Sequence, residues 1–187
     1  MRWQTVLCVV VAVVGASRAQ AADGQAPLQE ARPFSLHAGL GSHLNDGGDL
    51  QSLSFGYSGL RPVTLLVSVE RNHVPARVRT YTGGGAATRG GTVTAITGEV
   101  RYSPMVNRRL SPYVMAALGG GISRPNVNPT FPDAVSNVAT IVHAGGGLRV
   151  RLRPRIDLFV DGRVQLITER DVIGGRLPIR GGLTWHF

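Results

Sequence analysis

Nine charged residues in this 187-residue chain carry the spacing most relevant to chemistry: Glu70, Glu99, Arg101, Arg149, Arg151, Asp157, Asp161, Arg163 and Arg180. Glu99 and Arg101, Arg149 and Arg151, and Asp157, Asp161 and Arg163 recur at even spacings. In an extended chain residues at even spacing project to one side, so these form rows of acids and arginines. Such rows suit ion pairing inside a narrow enclosure, where charges removed from water need opposite charges beside them. They also suit the lining of a small ion path.

Other candidate chemistries fall away one by one. The five histidines, His37, His43, His73, His143 and His186, have no metal-ligand spacing, so no metal and no cofactor are expected. Glycine triplets at 83–85, 119–121 and 145–147 lack the strand–loop–helix setting and the following Lys-Ser/Thr of a phosphate loop. Glycines that allow curvature and close backbone approach within strands are the expected reading. For nucleophilic catalysis, hydroxyl, imidazole and carboxylate must converge. The strand histidines fall on the polar side, and no Ser-x-His or His-x-Ser pair sits on the apolar one. No enzymatic activity is expected.

The elements that position these residues are strands. After the first twenty-odd residues no window keeps a helical period, whereas alternation of period two recurs over stretches of roughly ten residues. In the final stretch Leu177, Ile179, Gly181, Leu183, Trp185 and Phe187 share one face, and Arg176, Pro178, Arg180, Gly182, Thr184 and His186 the other. Residues 156–166 repeat the scheme, with Ile156, Leu158, Val160 and Val164 opposite Asp157, Phe159, Asp161 and Arg163. Similar runs cover 34–40, 52–58, 63–72, 92–103 and 138–152, while 113–122 is strand-like but apolar or glycine on both faces. Eight strands result.

Connections alternate in length. Residues 59–62, 104–111 and 153–155 are short, and 74–91 and 123–136 are long and rich in Gly, Pro, Thr and Asn; 43–49 and 168–175 are of modest length. Short turns at one end and longer loops at the other, around an even number of antiparallel strands, are the pattern of a transmembrane barrel. Seven aromatics, Phe34, Phe55, Tyr57, Tyr102, Tyr113, Trp185 and Phe187, fall near strand ends on the short-turn side. Amphipathic rings favour the headgroup level, so Phe34, Tyr57, Tyr102, Tyr113, Trp185 and Phe187 are expected to form a girdle. The fold class is therefore all-β, an eight-stranded antiparallel transmembrane β-barrel.

The first residues read as an export address. Arg2, the apolar run at 6–15 and the small-x-small site Ala19-Gln20-Ala21 predict a signal peptide over 1–21, followed by a periplasmic segment at 22–32 and the barrel at 33–187. The single cysteine, Cys8, leaves with that segment, so no disulfide is expected. The formal net charge is +9 and every basic residue is arginine. A nucleic-acid partner would need that charge gathered on one accessible face. Here much of it alternates with apolar residues in strands, and no nucleic-acid partner is expected.

The stretch RLPIRGGLTWHF at 176–187 resembles the C-terminal assembly signal of bacterial outer-membrane barrels. SPYV at 111–114 followed by the glycines at 119–121, and GGGLRVRLRPRIDLFVDGR at 145–163, resemble the hairpin phrases of the small OmpA-like and OmpX-like barrel family. The resemblance covers about residues 33–187. It implies location in the outer membrane of a Gram-negative bacterium, contact with outer-membrane lipid and lipopolysaccharide, and delivery by the barrel-assembly machinery through the Phe187 segment. It also implies a structural or surface-interacting role; the alternatives are a lipid-modifying barrel enzyme, a deacylase or acyltransferase, and a small gated pore. One register follows from the turn at 153–155: Arg151 is expected directly opposite Asp157, with Arg149 diagonal to it.

Overall fold

A computed structural model of the chain describes residues 32–45, 47–81, 84–88, 90–105, 108–126, 135–169 and 172–187. The segments at 1–21 and 22–31, and most of the loop at 123–136, lie outside the described residues.

Eleven strand segments are present among the described residues: β1 (Phe34–His43), β2 (Asp49–Leu60), β3 (Val63–Val74), β4 (Arg77–Tyr81), β5 (Gly84–Thr88), β6 (Gly91–Tyr102), β7 (Leu110–Pro125), β8 (Asn137–Arg153), β9 (Ile156–Glu169), β10 (Val172–Arg176) and β11 (Pro178–His186). Each main strand pairs antiparallel with its neighbour, and β1 closes onto β11 from Ser35 opposite His186 to His43 opposite Pro178. Arg176 opposite Gln165 and Ile179 opposite Gly162 keep one register on β9, so β10 and β11 are halves of a single stave interrupted at Leu177. Asn45 holds that interruption, donating to the Gly175 carbonyl at 2.9 Å and accepting from the Leu177 amide at 3.3 Å. The result is a closed eight-stranded barrel in which each main strand pairs on both sides.

The strands are longer than the alternation alone suggests. β4 and β5 form a hairpin within the expected 74–91 loop, and most of the expected 168–175 connection is strand. Ladder hydrogen bonds carry the strands past the point where the sequence turns glycine- and threonine-rich. Gly90, at a φ of 62°, supplies the left-handed conformation where the chain re-enters the barrel at β6.

Alternation on the staves follows the sequence. Leu40 (70 % exposed), Leu53, Val67, Ile96, Val114, Leu118, Val164 and Leu183 face outward, and the inward positions are buried. The parity of β7, ambiguous in sequence, resolves with Ser111, Tyr113, Met115 and Ala117 inside and Val114, Leu118 and Ile122 outside. Inward glycines set the width. A Cβ on Gly119, Gly121 or Gly145 would strike the backbone of the adjoining strand, and one on Gly39 would meet the Arg180 side chain.

The interior is layered, which the sequence reading did not foresee. Toward the end that carries the long connections (the loop end), Val93, Ala95, Ala139, Ile141 and Ile167 form a buried apolar cluster, with Leu50 also buried. Where both parities of a strand are apolar, as around Ile141 and Val142, one set meets the surroundings of the barrel and the other fills its core.

Candidate functional site

Beneath the apolar layer lies a ring of charge supplied by strands all round the barrel. Glu70 stands on β3, Glu99 and Arg101 on β6, Tyr113 on β7, His143 on β8, Asp161 and Arg163 on β9, Arg180 on β11 and Ser52 on β2. All are buried. Arg163 donates through Nη1 to Glu70 Oε1 at 2.6 Å. Arg101 donates twice to Glu99 Oε1, from Nη2 at 2.7 Å and Nε at 3.2 Å. Arg180 donates through Nη2 to Asp161 Oδ2 at 2.7 Å and through Nη1 to Ser52 Oγ at 3.1 Å. Further contacts knit the pairs together: Arg163 Nε is 3.6 Å from Asp161, and Arg180 lies within 4 Å of both Glu70 and Glu99.

Three acids and three arginines thus share one enclosed volume, with charge balanced locally. Aromatic faces complete the packing. The Arg101 guanidinium lies 4.3 Å from the Tyr113 ring centroid and that of Arg180 lies 5.1 Å from Phe159. A cation over an aromatic face is stabilised by the ring quadrupole, most strongly when both are desolvated. Tyr113, expected in the girdle, is a lumen residue: it is 3 % exposed and its hydroxyl donates to Asp161 at 3.0 Å. Its inward parity on β7 decides this, because its place near a strand end says nothing about which wall it faces. Phe34, Tyr57, Tyr102, Trp185 and Phe187 are exposed on the outer wall, and Phe34 packs against Phe55, Tyr57 and Phe187 where the first and last strands meet.

A second cluster occupies the end with the short turns (the turn end). Arg151 stands directly opposite Asp157, the expected register, with an irregularity at the turn that places Arg153 opposite Ile156. Yet Asp157 is held more closely by His186 Nε2 at 2.8 Å and Arg149 Nε at 3.5 Å than by Arg151 Nε at 3.9 Å. Arg149 and Arg151 are part-buried, the Arg151 side chain retaining 25 % exposure. Nearby, His37 is bridged between Ser35 Oγ and Thr184 Oγ1, each at 2.9 Å.

Thr97 and Gln165 lie between the charge ring and the apolar layer, and Asn72 stands within that layer, opposite Leu50 and Val93. All are fully buried, with side-chain polar atoms that have no protein partner. Among the described residues no cluster of His, Cys, Asp or Glu could hold a metal ion.

The outer wall near the loop end carries a polar group that sequence reasoning missed. β3 extends through Val74, past the expected end at Asn72, and its parity turns His73 outward, whereas His37, His143 and His186 of the expected strands face the lumen. His73 Nδ1 lies 3.1 Å from Thr92 Oγ1, and Asp49 stands across from His73 on the other side. Arg71 and Arg124, both exposed, flank this row on β3 and β7. Below Arg71 an apolar groove of about 600 Å³ runs down the wall over Ala38 and Gly181, between Leu40, Leu53, Val69 and Leu183. The signal was present in the parity of β3, since Val67, Val69, Arg71 and His73 share one face; it needed the true end of the strand to be read.

No family model matches the sequence. No curated protein matches it either. Solved structures do: Neisserial surface protein A superposes with a TM-score of 0.64 at 16 % identity, covering 83 % of this chain and 97 % of that one. The N-terminal β-barrel domain of Pseudomonas aeruginosa OprF superposes with a TM-score of 0.55 at 18 % identity, covering 82 % of this chain and 96 % of the other. With its closed ring of eight antiparallel staves, apolar outer wall and ion-paired interior, the chain has the fold of the small bacterial outer-membrane β-barrels.

Proposed function

We propose that this chain is an integral outer-membrane barrel with a structural or surface-presenting role, carrying its loops on a rigid, closed stave ring. The observation that carries the reading is the inversion of polarity between its two walls. Leucine, valine, isoleucine and aromatic side chains are exposed over the outer wall, while acids and arginines are buried and paired within. A water-soluble barrel reverses this arrangement, and exposed apolar surface on such a scale marks an apolar solvent. The apolar layer at the loop end supports a closed barrel over a gated pore. Delivery through the barrel-assembly machinery belongs to the same reading, supported by the C-terminal run that ends at Phe187. Fractionation of the native envelope, with electrophoresis before and after boiling, tests it. The protein is expected in the outer-membrane fraction with heat-modifiable migration, and recovery in a soluble fraction would overturn it.

A second reading, a hydrolase acting on outer-leaflet lipid, draws on the carboxylate, imidazole and hydroxyl of Asp49, His73 and Thr92 in line across three strands. It stands behind the first because no hydrogen bond joins Asp49 to His73, so the imidazole lacks the orienting partner that base catalysis requires. Mass spectrometry of lipid incubated with the folded protein separates the two: loss of acyl chains that depends on His73 and Thr92 favours the enzyme.

A further inference from the structure

From the outer wall we infer a binding site for a bisphosphorylated, multiply acylated lipid of the outer leaflet, its acyl chain in the groove over Ala38 and Gly181 and its phosphates on Arg71 and Arg124. The inference rests on the outer-membrane reading above.

Three observations converge. The groove runs between the apolar side chains of Leu40, Leu53, Val69 and Leu183, with Gln51, Ser52 and Arg71 the polar members of its lining, and its floor is low because two small residues, Ala38 and Gly181, stand among them. A lipid chain fills such a depression better than a flat wall, gaining dispersion contacts on three sides. Second, the groove does not end in apolar surface: Gln51 and Arg71, direct cross-strand partners, close it at the loop end. Third, Arg71 has no ion pair or hydrogen bond among the described residues, and the same holds for Arg124. Two uncompensated guanidiniums at the edge of an apolar band attract anionic headgroups, and the planar fork of arginine favours phosphate.

The placement of the second arginine identifies the headgroup. Arg71 lies opposite Thr94 on β6, and Arg124 lies opposite Thr92 on the far side of the same strand. Two strand spacings and a two-residue offset put the two backbone positions about 12 Å apart. One phosphate engages one of them without strain on the other, whereas a headgroup with two phosphates satisfies both. Between them the His73–Thr92 pair offers further polar atoms, and Asp49 is the acid on this ridge, so the patch keeps a positive balance. The loop end, where the ridge lies, faces outward in a barrel whose short turns are periplasmic.

The test uses the folded full-length protein in detergent and native mass spectrometry with three added lipids: bisphosphorylated lipid A, monophosphorylated lipid A and phosphatidylglycerol. The wild type is expected to hold the bisphosphorylated lipid most tightly. The double variant Arg71→Gln/Arg124→Gln should bind it about ten-fold more weakly, the scale expected for losing charge-assisted contacts. Gly181→Leu fills the groove, and a Cβ there meets nothing nearer than 3.7 Å, so the barrel should fold while binding falls. Arg61→Gln/Arg155→Gln removes the same charge at the turn end and should change nothing. Equal binding by wild type and Arg71→Gln/Arg124→Gln, an equal loss in the turn-end variant, or phosphatidylglycerol bound as tightly as lipid A would overturn the site. Heat-modifiable migration reports separately on the barrel: failure there sinks the outer-membrane reading, whereas a folded protein without lipid preference sinks this inference alone.

Discussion

Arg163 and Glu70 stand on strands that are four staves apart whichever way the ring is followed, and their side chains meet across the lumen at 2.6 Å. The pair is a strut between opposite walls, made by residues 93 positions apart in sequence, with both side chains fully buried. Removing either partner leaves a buried charge whose best contact is gone. Glu70→Ala and Arg163→Ala are each expected to cost about 3 kcal/mol, and the double variant much less than their sum. Urea unfolding in lipid vesicles measures this; strictly additive losses would show that the strut is not a coupled unit.

How far such a strut can be read from sequence has a definite limit. Period-two alternation places Glu70, Glu99, Asp161, Arg163 and Arg180 on the inward face, because facing is a local property of an extended chain. It also gives the β8–β9 register, since a short turn fixes which residues oppose one another. Partners across the lumen depend on the closure and stagger of the whole ring, which no local pattern encodes. Tyr113 differs from expectation for a related reason. It lies in a stretch apolar or glycine on each parity, so alternation carries no information there, and only the neighbouring strands β6 and β8 decide what faces in. His73 lies just past the 63–72 run that alternation marks, so its outward facing becomes legible only once β3 is seen to continue through Val74.

At the turn end, the geometry around Asp157 predicts an unequal response from its three partners. Arg151 opposes it in register but stands at 3.9 Å and keeps a quarter of its side chain exposed, so Arg151→Ala should cost about 1 kcal/mol or less. Asp157→Ala removes the shared partner of His186, Arg149 and Arg151 together and should cost about 2 kcal/mol, between the exposed and buried limits. A double-mutant cycle should give a stronger coupling of Asp157 with Arg149 than with Arg151. The reverse order would mean that register, and not distance, governs this cluster.

Gly181 and Gly182 are chain neighbours with opposite tolerance. An added Cβ at Gly182 points inward, onto the Ala38 carbonyl and the Phe159 ring, where backbone would have to move. At Gly181 it points outward and meets only ordinary contacts, the nearest at 3.7 Å. Gly182→Ala is expected to cost about 1–3 kcal/mol through overpacking and to lower the yield of heat-modifiable protein. Gly181→Ala should fold as the wild type does. Similar behaviour of the two variants would refute the facing assigned to β11.

The apolar layer of Val93, Ala95, Ala139, Ile141 and Ile167 makes a prediction about both stability and transport. Ile141 is fully buried inside the barrel, whereas the next residue, Val142, is exposed on the outer wall. Ile141→Ala leaves a cavity that its neighbours cannot close, because the staves are held at fixed spacing by their ladders, and should cost about 3 kcal/mol. Val142→Ala exchanges contacts with lipid for other contacts with lipid and should cost well under 1 kcal/mol. The five apolar side chains offer a passing ion no hydrogen-bond partner, leaving only the buried Asn72 and Ser123 beside Val93 to meet it, and stripping an ion's hydration in an apolar medium costs tens of kcal/mol in the limiting case. On the proposed reading the charge ring beneath is a brace closed off from the loop end, and planar bilayers containing the wild-type protein are expected to remain electrically silent at voltages the lipid itself withstands. Discrete conductance steps that disappear on boiling the protein would mean that the layer opens, and the arginines and acids of the lumen would then have to be read as the lining of a path.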